Sequence, residues 1–404
     1  MNDNTILVIN CGSSSLKFAL FNAAELDCVA SGLAEKLGTT GAVLTIKIGN
    51  SKSTTSLAHA DHSIAIKSVI ESLTSMQLLI KDPLGIGHRV VHGGEAFSNS
   101  VLIDNRVIAE IEKCSALAPL HNPANLLGIK LMAELYPSAP QVAVFDTAFH
   151  QSLPQASYLY PIPYHLYTEH GIRRYGFHGT SHQYVAELAA NKLNKPLDKC
   201  NLITAHLGNG CSVTAIKQGL SVDTSMGLTP LEGLMMGTRS GDIDPGLFEF
   251  LCTTGMNSES INQMLNKESG LKGLSGETND MRTLFKLADS GNKRAALAID
   301  VFCFKLAKYI SAMAASLPAI DALVFTGGIG ENADRIRATA LGKLSIFGFK
   351  LSSELNKSNG LRSEGRITES GSTLAYVIPT NEELVIARDT LKSAKYRELP
   401  NQRG

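Results

Sequence analysis

The chain has 404 residues, 44% of them hydrophobic, with 37 Lys+Arg balanced by 37 Asp+Glu. That length and apolar share suit two or three domains with a sizeable core and exclude a disordered chain. A net charge of zero excludes the broad positive field of a nucleic-acid or membrane-surface binder. Seven cysteines, at 11, 28, 114, 200, 211, 252 and 303, are scattered without a CxxC pair and read as free thiols. The first residues show no signal-peptide pattern, so a cytoplasmic protein is expected.

In chain order, Thr5–Ile9 reads as a strand, 10–15 (Asn-Cys-Gly-Ser-Ser-Ser) as a turn and Leu16–Phe21 as a second strand. Ala42–Ile48 alternates as a further strand. Helical periodicity follows around Ser63–Leu73, Arg106–Ala116 and Ala124–Leu135. Gln141–Phe145 is a short buried strand that ends at Asp146. The strand–turn–strand unit recurs as Asn201–Ala205, His206–Gly210 and Cys211–Ile216, which suggests an internal duplication. The stretch 295–317 carries Asp300, Lys305 and Lys308 and reads as a buried helix, not a membrane span. Ala322–Phe325 is a strand, 326–330 a glycine loop and Glu331–Ala340 a helix. Ser352–Gly360 reads as a surface loop. Leu374–Ile378 is a strand and Asn381–Leu391 the last helix.

Glycine turns expose backbone N–H groups to a phosphate without side-chain bulk, and adjacent hydroxyls add donors. The segment from Asn10 to Ser15, with Lys17 beyond it, meets that need, although an ordinary hairpin turn has the same composition. It lacks the Walker A spacing. With His206–Gly210 and Gly327–Asn332 it makes three such loops, each after a strand, a pattern that points to one bound nucleotide. Arg89 and Arg239 lie in glycine-flanked segments, where a guanidinium can approach an anion; a surface salt bridge is the alternative for each. Arg173-Arg174 is a further candidate for small anions. His178 and His182 are four apart, but a metal pair is disfavoured because no HExxH or cysteine partner accompanies them. Phosphate bonding suits His178 better; His88, His92 and His182 read as buried, satisfied histidines. Asp146 ends a strand, where α/β enzymes often place a catalytic carboxylate. Glu382 and Glu383 could hold Mg²⁺ or simply cap the first turn of a helix.

These residues resemble a known family. The run 7–17 (LVINCGSSSLK) is similar to the N-terminal signature of the acetate kinases, and 231–242 (LEGLMMGTRSGD) to their second signature. The segments 118–123 (APLHNP), 174–182 (RYGFHGTSH) and 380–383 (TNEE) also match, so the resemblance runs from about residue 5 to 393. Cys11 stands where alanine is common, and 395–404 has no counterpart. The resemblance implies an α/β fold of two ribonuclease-H-like (actin-like ATPase) domains with a nucleotide cleft between them. It places the first domain at 1–148 plus 382–404 and the second at 149–381, and it implies a homodimer.

By the same resemblance, Asn10 and Glu382 hold Mg²⁺, with Mn²⁺ as a substitute. Ser13, Ser15 and Lys17 line the phosphate path. Arg89, Arg239, His178 and His121 surround the transferring group, and Asp146 orients groups or supports the metal. ATP/ADP is contacted by His206, Leu207, Gly208, Asn209 and Gly210, by Asp280, Met281 and Arg282, and by Gly328, Ile329, Gly330, Glu331 and Asn332. Val91, Leu120, Phe177 and Pro230 form the apolar pocket for the acid. The implied reaction is transfer of the ATP γ-phosphoryl group to acetate, with no nucleic-acid or membrane partner. A propionate or butyrate kinase is the alternative within that chemistry, and an actin- or chaperone-like ATPase acting through protein interaction is the alternative outside it.

Overall fold

The computed structural model describes residues 4–119 and 121–398. The chain divides into two compact units, one drawn from residues up to 148 and from 381 onward, the other from 149–380.

The first unit is built on an eight-stranded sheet: β1 (Thr5–Cys11), β2 (Ser15–Asn22), β3 (Cys28–Glu35), β4 (Val43–Ile48), β5 (Ser51–Ser56), β6 (Gly85–Val90), β7 (Val101–Leu102) and β8 (Gln141–Phe145), in spatial order 5-4-3-2-1-6-8-7. All seven residues of β1 are buried, because both faces of the strand are covered and a continuous apolar run is what that requires. Leu7 and Ile9 pack with Ile66 and Val69 of helix His62–Ser75 and with Met132 of helix Asn122–Leu135. The alternate residues Ile6 and Val8 pack on the other side with Ile386 and Ala387 of the C-terminal helix Glu382–Glu398.

The second unit carries β9 (Asn201–Leu207), β10 (Cys211–Lys217), β11 (Leu220–Thr224), β12 (Ala322–Thr326) and β13 (Leu374–Val377), in order 11-10-9-12-13. Val185, Ala186 and Ala189 of helix Gly179–Lys192 cover one face, against Leu202, Ala322 and Val324. The long helix Lys293–Ala314 packs on β9 and β10. Its buried stripe includes Ala298, Phe302, Leu306 and Ile310, the spacing of one helical face.

The two sheets share one topology. β3-β2-β1-β6-β8 and β11-β10-β9-β12-β13 both run as an antiparallel hairpin-linked triplet followed by two parallel strands. Each opens on a tight turn: Gly12 N donates to Ser15 O at 2.8 Å in the first, and Gly208 N to Gly210 O at 3.0 Å in the second. The duplication read from two short motifs is therefore a duplication of the five-strand core.

One strand goes unread in the sequence, and two expectations change. Strand β5, Ser-Lys-Ser-Thr-Thr-Ser, is exposed along its whole length and carries no apolar alternation to reveal it. The glycine loop after β12 is helical from Gly327 to Asn332, with a second helix at Asp334–Gly342. Ser352–Gly360 is not merely a surface loop: it holds helix Ser353–Lys357, and Asn356 within it is buried. Among the described residues all seven cysteines are free. Burial pushes the Cys11 thiol up to about 12, so at neutral pH it packs as a small apolar group.

Candidate active site

In the first unit β1, β6 and β8 are parallel neighbours, so their C-terminal ends lie side by side. Asn10, Arg89 and Asp146 stand at those ends, where open α/β sheets bind their ligands. The Arg89 guanidinium grips Asp146 in a two-pronged pair: Nε donates to Oδ1 at 2.8 Å and Nη2 to Oδ2 at 2.5 Å. Its Nη1 donates to Asn10 Oδ1 at 3.5 Å. The Asp146 side chain is 2% exposed and that of Arg89 23%, so the arginine shows one edge to solvent while the carboxylate is enclosed. Burial opposes the charge on Arg89, but Asp146, Glu382 and Glu383 outweigh it and hold the guanidinium protonated. Glu382 is shifted upward, by burial first and then by Asp146 and Glu383, with Arg89 and Lys17 acting the other way. Its carboxylate thus lies in a crowd of negative charge that a cation would relieve.

The segment around His121 is braced by two asparagines in the first turn of helix Asn122–Leu135. Asn125 accepts from Val91 N at 3.1 Å and donates to Cys11 O at 2.7 Å. Asn122 accepts from His92 N at 3.1 Å. These bonds fasten the start of the helix to the ends of β1 and β6 and carry His121, the residue before it, to the same edge of the sheet. Strand β6 ends at Val90, so strand alternation does not extend to Val91; its buried position is set by Asn125 instead. Leu120 lies outside the described residues. Ser13 is exposed, Ser15 half-buried and the Lys17 side chain points outward from β2.

In the second unit the turn 208–210 collects the other groups. His206 is the next-to-last residue of β9, and His178 precedes helix Gly179–Lys192 in a left-handed conformation, φ +57°. Their rings stack with centroids 4.2 Å apart. A Cβ placed on Gly210 would lie 3.4 Å from both His178 Nε2 and Arg239 Nη1, and one on Gly208 3.9 Å from His206 Nε2. The three side chains therefore border the two glycines of one turn.

Arg239 reaches that turn from the loop 231–242. Gly233 and Asp242 close the loop: Asp242 N donates to Gly233 O at 2.8 Å and Gly233 N to Asp242 Oδ1 at 2.8 Å. Tyr309, on helix Lys293–Ala314, donates to Asp242 Oδ2. Gly237 N donates to Asn209 O at 3.0 Å, and a side chain at Gly237 would collide with the Asn209 amide. Arg239 Nη1 donates to Pro230 O at 3.0 Å. Among the described residues no carboxylate pairs with Arg239, and burial lowers its pKa. A desolvated guanidinium without a counter-ion is an anion receptor.

The remaining expected nucleotide contacts join the same place. Asn279 donates to Asn209 Oδ1 at 2.8 Å. Asp280 caps helix Met281–Asp289, and Arg282 together with the Thr283 N–H holds its carboxyl down to about 2. Met281 is buried, while Arg282 is 89% exposed. Thr326 pairs with His206 across β12 and β9, so the helical turn Gly327–Asn332 starts beside the 206–210 turn. The Glu331 carboxylate accepts from Gly327 N at 3.0 Å and Thr380 N at 3.2 Å, so it braces its own turn. Asn332 does likewise, donating to Gly328 O at 2.9 Å.

A profile of the acetokinase family matches residues 5–388. The chain belongs to that family. It is 53% identical over 393 residues to the acetate kinase of Chromobacterium violaceum, covering 97% of this chain and 99% of that one. Among solved structures, a propionate kinase from Francisella tularensis subsp. tularensis matches with a TM-score of 0.92 at 47% identity, covering 96% of this chain and 99% of that one. The acetate kinase of Porphyromonas gingivalis matches with a TM-score of 0.89 at 43% identity, with the same coverages. The family is one of ATP-dependent kinases, so ATP/ADP is the nucleotide.

One supporting residue of this acetokinase-family fold was missed in the sequence, because its partners are set by packing and not by a local motif. Arg337, fully buried, donates to Gly330 O at 2.8 Å, Glu331 O at 3.0 Å and Asn356 Oδ1 at 2.8 Å; it shapes the third loop from behind. Arg173-Arg174 is not an anion site. Arg174 pairs with Glu232 at 2.5 Å and donates to Thr224 O at 2.9 Å, while Arg173 lies over the Tyr158 ring at 3.7 Å. His88 and His182 are buried; burial takes His88 down to about 4. Phe177 is buried and Pro230 half-buried in the second unit, whereas Val91 belongs to the first.

Proposed function

We propose that this chain catalyses reversible transfer of the ATP γ-phosphoryl group to acetate, giving acetyl phosphate and ADP by direct in-line displacement. The observation that carries the reading is Arg239: a half-buried guanidinium, unpaired with any carboxylate among the described residues, beside His178 at the turn that holds Gly208 and Gly210. Acetate is ionised at pH 7, so an oxygen of its carboxylate attacks phosphorus without a general base. The P–O bond to the β-phosphate breaks as the new one forms, and ADP leaves with the electron pair. The enzyme's task is to position two anions and stabilise the charge that develops. Arg239 and His178 from the second unit, and Arg89 and His121 from the first, are the donors we assign to that charge. Asp146 fixes the Arg89 fork. Leu207, Gly208, Asn209 and Gly210, the segment 280–282 and Gly328, Ile329 and Gly330 serve ATP, with Ser13, Ser15 and Lys17 along the phosphate path.

Asn10 and Glu382 are the residues we assign to Mg²⁺, with Mn²⁺ as a substitute. An amide oxygen and one carboxylate amid excess negative charge suit an ion that takes few protein ligands and completes its shell with phosphates and water. Bound there, the ion would neutralise phosphate charge. A homodimer acting in the cytoplasm, without nucleic-acid or membrane partners, completes the proposal. Among the described residues no helix is long and apolar enough to cross a membrane.

The deciding experiment offers short acids with ATP and traps acyl phosphate with hydroxylamine. Hydroxamate should form from acetate only when a divalent cation is present. No hydroxamate from any short acid, together with ATP hydrolysis that depends on an added protein, would replace this reading with an interaction ATPase.

The likeness to a propionate kinase makes acid length the open variable, and Val91, Leu120, Phe177 and Pro230 are the pocket we assign to it. Val91→Ala should raise the propionate-to-acetate ratio of kcat/KM by about 4- to 100-fold, since one methylene is worth about 0.8 kcal/mol by transfer and roughly 1–3 kcal/mol in a shaped pocket. An unchanged ratio with a lower melting temperature would make Val91 core alone.

A further inference from the structure

Behind the two stacked histidines runs a chain of buried hydroxyls. His178 Nδ1 is 2.9 Å from Ser212 Oγ. Ser212 Oγ is 2.7 Å from His182 Nε2, and His182 Nδ1 is 2.7 Å from Thr204 Oγ1. In parallel, His206 Nδ1 is 2.8 Å from Ser181 Oγ. Thr204, Ser212, Ser181 and His182 are all 0% exposed.

Hydroxyl protons set the direction of these bonds. The Thr204 side chain has one polar partner among the described residues, His182 Nδ1. A buried hydroxyl that leaves its proton without an acceptor is disfavoured, so Thr204 donates and His182 Nδ1 accepts. Burial, with His150 and His206 nearby, drives the His182 pKa well down and keeps it neutral, so its one ring proton is on Nε2 and goes to Ser212 Oγ. Ser212 then has a single use for its own proton, and donates it to His178 Nδ1. The same reasoning has Ser181 donate to His206 Nδ1. A histidine nitrogen that accepts a bond leaves the ring proton on the other nitrogen.

We propose that Thr204, His182 and Ser212 lock His178, and Ser181 locks His206, as neutral histidines carrying the proton on Nε2, so that both N–H groups are preset donors for phosphate oxygens at the turn 208–210. The use of those donors rests on the kinase reading above; the lock itself does not. Thr204, His182, Ser212 and Ser181 are positioning residues, since they act through the rings. Protonating His178 would turn Ser212 toward His182, drive its proton to Nδ1 and strand the Thr204 proton, and the guanidinium of Arg239 beside the ring adds to that resistance. His178 is therefore a fixed hydrogen-bond donor, not a source of protons, which matches a transfer that needs none.

The test uses the full chain labelled with ¹⁵N-histidine, with long-range ¹H–¹⁵N spectra and the His178 and His206 signals assigned from His178→Asn and His206→Asn. At neutral pH both residues should show a protonated Nε2 and an unprotonated Nδ1, and MgATP should shift both Nε2–H signals. Thr204→Val removes only the far hydroxyl. It should turn His178 into a mixture of tautomers weighted toward the proton on Nδ1 and lower kcat about 10-fold, less than outright loss of a donor because part of the molecules keep it, with KM for ATP and acetate within about two-fold. Thr204→Ser should restore both. A proton on His178 Nδ1 in the parent chain, unchanged His178 nitrogens in Thr204→Val, or signals indifferent to MgATP would each overturn the proposal. The spectra of the free protein need no turnover, so failure of the hydroxylamine assay would defeat the kinase reading while the spectra still judged the lock.

Discussion

Arg239→Lys should lower kcat by at least about two orders of magnitude, the scale on which a preorganised donor is lost from a transition state. A protonated lysine carries the same charge, so what the change removes first is the planar geometry. Arg239 uses Nη1 to donate to Pro230 O at 3.0 Å, and the same nitrogen lies beside Gly210. A lysine ammonium is one compact centre on a flexible stem and cannot hold the carbonyl and reach an anion at once. Burial already opposes the positive charge at this position, and a lysine yields its proton to such an environment more readily than an arginine. The loop itself should survive, because its closure depends on Gly233, Asp242 and Tyr309 and not on the arginine. KM for ATP should therefore change little, and the melting temperature should stay near that of the parent. Near-normal kcat in Arg239→Lys would remove the residue from the reacting centre.

Asp146→Asn should be the second severe change, lowering kcat/KM by about 100-fold or more while also costing stability. The amide keeps the shape of the carboxylate but cannot accept both Arg89 bonds as an anion does. Breaking one partner of a buried pair costs about 3–5 kcal/mol. The 23% exposure of Arg89 lets water repay part of that, so a loss of about 1–3 kcal/mol in an unfolding curve is expected. Glu382 and Glu383 both act on the Arg89 charge, and the freed guanidinium should turn toward them. That would occupy the carboxylate assigned to Mg²⁺, so the divalent-cation concentration needed for half-maximal rate should rise. A variant with lowered stability but unaltered kcat and unaltered cation requirement would confine Asp146 to a structural role.

Both effects depend on pairings that local sequence describes unevenly. Arg89 could be singled out by its glycine-flanked segment and Asp146 by its place at a strand end, but their two-pronged bond joins positions 57 residues apart. Arg173-Arg174 also read as a candidate anion site, like the arginines assigned to the phosphoryl group. Glu232, carried 58 residues further on, makes Arg174 a structural tie. Arg174 also gives Nη1 to the carbonyls of Thr224, Ser225 and Met226, and what a guanidinium holds besides its carboxylate is a tertiary fact.

The sequence by itself determined the strand–turn–strand units, the paired glycine turns and the order of the signature segments, because each rests on backbone rules that act over a few residues. Period-two apolar runs specify strands, and glycine specifies turns that phosphate can approach. Only the tertiary structure decided which polar groups support others. Asn125 holds Cys11 and Val91, Arg337 shapes the turn at Gly330, and Thr204 reaches His178 through His182 and Ser212. It also found helix Ser353–Lys357 in what read as a loop, because the burial of Asn356 comes from the Arg337 guanidinium and not from its own neighbours in the chain. A buried polar group must find a partner, but the sequence does not say where along the chain that partner will be.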